Sequence, residues 1–383
     1  MSLVEYFSRY EKILRPKINL LPAKKAVSFF TKGRKTFLEK FINETPPRSI
    51  SLPENLKIKL WDIEFNCPLF NAAGMFKNGK GYELCAAQSA GAFLAGTSTP
   101  IPRQGNKKEG IVHPFAAYPK SHAASNWMGL PNEGCEIVAK RLSMLSKKRG
   151  CPIGISLAAS PNQEESLAMQ GLIEGLKMFD KAGVDFIEIN ESCPNVTHNT
   201  SISEKELDAG EEILSKSIDI SLMRRLEHIN DKFLKNRRRN LPVILKLSTD
   251  IDRKTLVALL DIMLAMNYDG VNLGNTSTDY NACRTMIDKS EHRVFDYFVE
   301  TFGGGISGAP LKQKSFDLSS FAAEYLKHYP PNREFNVIRT GGIERYEDIT
   351  ASQERGIVLF QWFTGYFENF SYYGHSIYSK FFK

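Results

Sequence analysis

The sequence predicts an α/β chain: one (β/α)8 barrel preceded by a basic, amphipathic helical extension. Three observations carry that prediction. Beyond residue 60, eight short β-rich runs alternate with longer helix-like stretches. Chemically distinctive residues recur at the C-terminal ends of those runs, where barrels of this kind assemble their sites. Finally, the net charge of +7 is confined to the first fifty residues, which hold eleven Lys/Arg against four Asp/Glu, so the remainder is neutral.

The eight runs span residues 68–73, 92–98, 153–158, 185–190, 242–248, 270–275, 335–340 and 357–363. Helix-like stretches such as 164–182, 252–267 and 315–328 separate them. A doubly wound open sheet is the competing architecture. Eight units, and no GxGxxG after the first run, weigh against it. Residues 51–383 are therefore read as the barrel and residues 1–50 as a separate extension. In the extension Leu20, Val27, Phe30, Phe37 and Phe41 mix with Lys24, Lys32, Arg34 and Lys40. Pro16 and Pro22 are expected to interrupt it, and Thr45-Pro46-Pro47 reads as a linker. Two readings stand side by side. The extension is a helix pair packed on the barrel with a solvated charged face, or it is a peripheral membrane contact with aromatic side chains in the interface.

Composition narrows the class. At 42% hydrophobic and 24% charged, the chain is an ordinary globular one, with no run of 18 apolar residues to span a bilayer. Its first residues lack the apolar core of a secretory signal. The cysteines Cys67, Cys85, Cys135, Cys151, Cys193 and Cys283 form no CxxC pair, so no metal site is expected, and they read as reduced thiols of a cytoplasmic compartment. The basic extension has no nucleic-acid-binding motif, so no nucleic-acid partner is expected.

The motifs point to redox chemistry on a planar ring. Glycine-bearing segments GGGISGAP (303–310), RTGGIE (339–344) and FTGY (363–366) flank the last two runs, where freed backbone N–H groups suit a phosphate. Lys246 lies inside the apolar ILKLS, a costly place for a cation unless it faces negative charge, such as that on a reduced electron-accepting ring. Asn126, Asn190, Asn195 and Asn275 offer amide donors and acceptors that match the alternating N–H and C=O groups of a pyrimidine. Lys77 suits a substrate carboxylate. Cys193, in the polar NESCPN, suits a thiolate base that removes a carbon-bound proton. The polar run VTHNTSISEKE that follows reads as a mobile cover over the substrate.

Taken together, NAAGMFKNGKGYE, GTSTPIPRQGN, NWMGLPNEG, INESCPNV, ILKLS, GNTS, GGGISGAPL, RTGGI and QWFTGY resemble the dihydroorotate dehydrogenases, block by block and in order from about residue 60 to 370. The resemblance implies an FMN-containing barrel that oxidises dihydroorotate to orotate in pyrimidine synthesis. It implies Cys193 as the base and Lys77, Asn126, Trp127, Met128, Gly129, Leu130, Asn190, Asn195, Asn275 and Thr276 as substrate contacts. Ala73, Gly74, Thr97, Ser156, Asn190, Lys246, Gly308, Gly342, Phe363 and Thr364 are the implied flavin contacts.

The class is mixed. AAGMFK, GTSTP, GGISGAPL and the extension resemble the membrane-associated, quinone-reducing class. Cys193 in SCPN, and SLAAS at 156–160, resemble the soluble class linked to fumarate or NAD. The extension and Lys77 bear on acceptor access and substrate anchoring, so quinone is the expected acceptor and a peripheral place on the cytoplasmic side of a membrane the expected location. A soluble enzyme of either other type, or an FMN reductase of another dihydropyrimidine without a carboxylate for Lys77, is the alternative. Four departures from the family pattern stand out. Arg339 replaces a small glycine and either pairs the phosphate or points outward. Phe363 replaces a tyrosine, Gly274 a threonine, and Glu191 an apolar residue.

Overall fold

The computed structural model describes residues 1–191, 219–237 and 239–383. Each of the eight predicted runs forms a strand: β1 Leu69–Asn71, β2 Phe93–Ser98, β3 Ile153–Leu157, β4 Phe186–Asn190, β5 Val243–Leu247, β6 Gly270–Leu273, β7 Asn336–Thr340 and β8 Leu359–Trp362. They pair in parallel in the order β1-β8-β7-β6-β5-β4-β3-β2. The predicted helices between them run over Glu165–Ala182, Arg253–Ala265 and Lys312–His328.

The seam between β1 and β2 closes without a regular ladder. Gly91 N–H donates to Leu69 O at 2.9 Å and Gly74 N–H to Gly96 O at 2.7 Å. Between them the Asn71 side chain takes the place of backbone: its Nδ2 donates to Leu94 O at 2.7 Å and its Oδ1 accepts from Leu94 N–H at 3.1 Å. β1 is three residues long, so an amide, which both donates and accepts, completes the pairing its backbone cannot reach.

The barrel interior is layered. At the N-terminal end Phe70, Leu94, Phe186, Ile244, Ile338 and Leu359 fill the bore, capped by Trp61 and Phe65 from an antiparallel hairpin, Ile58–Leu60 with Ile63–Phe65. Strand alternation sends Ile187 and Ile189 of β4 outward into the helical layer, and Glu188 and Asn190 inward. The next interior layer up is accordingly polar. Register sets Asn190 beside Lys246, and Lys246 beside Asn272.

A second sheet, not predicted from sequence, crosses the C-terminal face. Its antiparallel strands are Phe115–Tyr118, Ala123–Asn126 and Gly305–Gly308. The segment GGGISGAP was read as a glycine-bearing phosphate segment, and part of it is also a strand: Ile306 alternates inward and pairs with Ser125 across the ladder. Helix α2 (Ala23–Ile42) closes over this sheet, and helix α1 (Leu3–Ile18) packs against α2 and the helix Thr364–Tyr373. Ala26, Val27 and Phe30 of α2 are buried with Tyr118, Phe295 and Phe298, while Phe41 enters the main core. α1 docks through Arg15, whose guanidinium pairs Glu368 at 2.5 Å. Pro16 was expected to break this segment, but α1 runs through it to Ile18. Its missing N–H removes only the one bond to the Lys12 carbonyl, and the helix ends two residues later. Pro22 does separate the helices, as the residue preceding α2.

Candidate active site

The C-terminal ends of the strands open into a cavity of about 1110 Å³ including its mouth, roofed by the second sheet and α2. Of the residues expected at the site, Ala73, Gly74, Lys77, Thr97, Asn126, Met128, Leu130, Asn190, Lys246, Asn275, Thr276, Gly308, Gly342, Phe363 and Thr364 line it. They come from positions nearly three hundred residues apart and are brought together by barrel register. Cys193 and Asn195, and the run VTHNTSISEKE, lie outside the described residues.

Three expected contacts stand behind the wall instead. Ser156 is buried beneath Thr97, their hydroxyls 3.1 Å apart. Trp127 turns toward Phe302, ring centroids 6.3 Å apart. Gly129 occupies a turn at φ +70°, its carbonyl accepting from Arg103 Nε at 3.2 Å. The turn reverses the chain between Asn126 and Leu130, so only alternate members of NWMGL reach the cavity.

One wall is an amide chain. Asn190 Nδ2 donates to Thr97 Oγ1 at 3.0 Å, and Asn190 Oδ1 accepts from Asn275 Nδ2 at 3.3 Å. Asn275 Oδ1 accepts from Thr276 N–H at 3.0 Å. These bonds hold the amide planes in place while both asparagines still face the cavity. Beneath them, Lys246 Nζ donates to Gln361 Oε1 at 3.2 Å and lies 3.5 Å from Glu188 Oε1.

The opposite wall is built for close backbone approach. Gly342 sits at φ +67°, and a Cβ there would fall 2.2 Å from Lys312 Cα. Gly308 sits at φ +95°, with His122 O at 2.2 Å from a Cβ. Beside them begins the helix Thr364–Tyr373, whose first-turn N–H groups precede any intrahelical acceptor. Ser307 and Thr364 hydroxyls lie 3.0 Å apart at the same place. A flavin mononucleotide fits this arrangement. The glycines and helix start suit its phosphate, and the amide chain with Lys246 suits the polar edge of its ring.

Three of the four departures from the family pattern have a physical setting. Arg339 is 1% exposed and points out of the barrel into the helical layer. It donates to Ser315 Oγ, Asp348 O, Ser352 Oγ and Lys312 O at 2.7–3.2 Å and lies over the Phe316 ring. Of the two readings of Arg339, the structure takes the outward one; strand alternation gives the inward place to Thr340, which lines the cavity. Burial pushes Arg339 down to about 10. Gly274, at φ +148°, ends β6 so close to β7 that a Cβ would meet Thr340 O at 1.7 Å, leaving no room for a threonine. Glu191 turns outward and pairs Arg225 at 2.9 Å. The five described cysteines are buried. Burial pushes Cys67 and Cys135 up to about 12 and Cys283 to about 11, and raises Cys85 and Cys151 as well, which makes them poor thiolate bases.

Sequence reasoning missed Arg34. It projects from α2 into the cavity mouth, its Nε enclosed and without a hydrogen-bond partner among the described residues. Its Nη1 lies 3.8 Å from Met128 Sδ, and its guanidinium carbon lies 5.4 Å and 5.6 Å from the Phe115 and Phe363 rings. Burial pushes it down to about 10. The signal was present: Val27, Phe30, Arg34, Phe37 and Phe41 recur at helical spacing, so periodicity assigns this arginine to the buried stripe.

Comparisons with known proteins show which family the chain falls in. The family model described as Dihydroorotate dehydrogenase matches residues 55–380. Three curated relatives carry the name dihydroorotate dehydrogenase (quinone). That of Synechococcus sp. (strain JA-3-3Ab) is 28% identical, over 81% of this chain and 74% of the relative. That of Buchnera aphidicola subsp. Schizaphis graminum is 27% identical, over 81% and 82%. That of Christiangramia forsetii is 26% identical, over 93% and 94%. In fold, the chain is similar to Eimeria tenella DHODH in its ferulenol complex, with a TM-score of 0.70, 20% identity, and coverage of 92% of this chain and 89% of that one. With a family model spanning the whole barrel, the chain belongs to the dihydroorotate dehydrogenase family.

Proposed function

We propose that this protein oxidises dihydroorotate to orotate on bound FMN and passes the electrons to a quinone. The observation that carries the reading is the single cavity lined together by Lys77, Asn126, Asn190, Lys246 and Asn275 and by the glycines Gly308 and Gly342. Lys77 supplies the cation for the substrate carboxylate. Asn126 and Asn275 supply amides for the ring's N–H and C=O groups, and the bond that Asn190 donates to Thr97 and the one it accepts from Asn275 hold it in one orientation. In this reading Cys193 accepts the proton from C5 while the hydride leaves C6, and Asn195 adds a further substrate contact. FMN supplies the hydride acceptor, its phosphate held by Gly308, Gly342 and Thr364 and its ring by Ala73, Gly74, Thr97, Lys246 and Phe363.

The quinone assignment draws on the mouth of the cavity. Arg34, Phe115, Met128 and Phe363 form an apolar opening with one cation under α2, suited to an apolar acceptor with polar carbonyl groups. α1 adds a reason to place that opening at a lipid surface. Leu3, Tyr6, Phe7, Tyr10, Ile13 and Leu14 follow helical spacing and are all exposed, with Leu20 and Phe29 exposed nearby. An apolar stripe facing solvent on a basic segment suits a peripheral membrane contact. No described helix is long and apolar enough to cross a membrane.

The test is an anaerobic titration with dihydroorotate, followed by visible flavin absorbance, then addition of a soluble quinone, fumarate or NAD. Bleaching reversed by quinone is the expected result; restoration by fumarate or NAD alone overturns the acceptor assignment. Cys193→Ala retains flavin and loses most turnover. Cys193→Ser moves the pH–rate profile upward, because a hydroxyl is the weaker acid. An unmoved profile removes Cys193 from the base role.

A further inference from the structure

Inside the barrel, directly behind the cavity floor, lies a carboxylate that the reaction as described does not use. Glu188 of β4 is 1% exposed and Lys246 of β5 is 2% exposed. Glu188 Oε2 accepts from Asn272 Nδ2 and from Gln361 Nε2, each at 2.7 Å. Its Oε1 accepts no hydrogen bond among the described residues and faces Lys246 Nζ at 3.5 Å. The Gln361 amide is turned by its two neighbours: its nitrogen donates to Glu188 and its oxygen accepts from Lys246 at 3.2 Å. Thr340 Oγ1 lies 2.8 Å from Asn272 Oδ1 and 3.2 Å from Gln361 Oε1, which ties the network to the cavity wall. Lys246 thus donates one hydrogen bond, to Gln361, and is paired by charge with Glu188. Its remaining N–H capacity faces the cavity that Lys246 lines.

An ammonium this buried is held by its counter-charge, and its effect on a bound ring is that of the pair rather than of the cation alone. Reduction of a flavin by two electrons and one proton adds one negative charge to the ring. A lone lysine beneath the ring favours that charge, whereas a carboxylate immediately behind the lysine opposes it. We propose that Glu188 is a positioning residue of the redox site. It fixes the Lys246 ammonium at the cavity that would hold the flavin and, as its counter-charge, would hold the flavin's reduction potential down, so that electrons leave readily for the acceptor. The inference rests on the flavin reading above.

The test is the flavin potential of purified holoenzyme, read from absorbance against a reference dye during slow anaerobic reduction. Glu188→Gln keeps the side-chain length and removes the charge. At a fixed dye ratio, its reduced-to-oxidised flavin ratio is expected to rise at least tenfold over wild type, about 30 mV for a two-electron couple. Glu188→Asp restores the charge and is expected to stay within about threefold of wild type. If Glu188→Gln does not accumulate as folded protein, Glu188→Val removes the carboxylate and gives the same readout. Flavin bound with an unchanged potential in the uncharged variant overturns this inference alone. So does an equal shift in the Gln and Asp variants, which marks a packing effect. Absence of flavin from wild type overturns the functional reading and this inference together.

Discussion

Arg339→Ala separates a structural arginine from a phosphate-binding one. In the structure the guanidinium makes four hydrogen bonds, to Ser315 Oγ, Asp348 O, Ser352 Oγ and Lys312 O, and reaches none of the cavity lining. Each such bond contributes about 1 kcal/mol net. The lost packing over Phe316 leaves a void that adds to the cost, and removing a desolvated cation offsets part of it, for a net loss of about 3–5 kcal/mol. For a chain of this length that lowers the melting temperature by about 5 °C. The assay is thermal unfolding with saturating flavin, paired with the flavin dissociation constant by fluorescence. The expected pattern is a lower melting temperature with affinity changed less than about threefold. The reasoning is refuted if affinity drops tenfold or more while melting is unmoved, because the arginine would then be acting on the phosphate.

Two further predictions concern closure and pH. Asn71→Ala leaves Leu94 N–H and C=O without their amide partner at the β1–β2 seam and should cost about 2–4 kcal/mol in denaturant unfolding; an unchanged midpoint would mean the seam closes by other means. His122 lies 3.2 Å from Glu344, and that hydrogen bond is the main reason its pKa is raised. A raised histidine stabilises the fold fully below its unfolded value, and the gain is lost as pH rises through the folded value. Because His122 is half exposed, the effect is small, under about 1 kcal/mol. Melting curves of wild type and His122→Ala should differ near pH 6 and converge toward pH 9, and parallel profiles would remove the pair from the pH dependence.

Much of this molecule was legible in order along the chain. Eight apolar runs of strand length alternating with helices determine a parallel barrel, because each run must be buried on both faces and each helix must cover one. Barrel topology then places the residues at the end of each run on one rim, which is why Lys77, Asn190, Lys246, Asn275, Gly342 and Thr364 could be gathered from the sequence, whereas Asn126 sits on the second sheet, which the barrel pattern does not place. Tertiary structure alone decided what depends on contacts between distant segments. The second sheet was hidden because GGGISGAP makes a strand only when Ala123–Asn126 lies beside it. Arg339 was ambiguous because either face of β7 could hold it until the Lys312–His328 helix supplied its acceptors. Glu188 reads as one more charge in an apolar run; only the register of β4, β5 and β8 sets it against Lys246 and Gln361. A side chain's period follows from its own neighbours, but its partner is chosen by the fold.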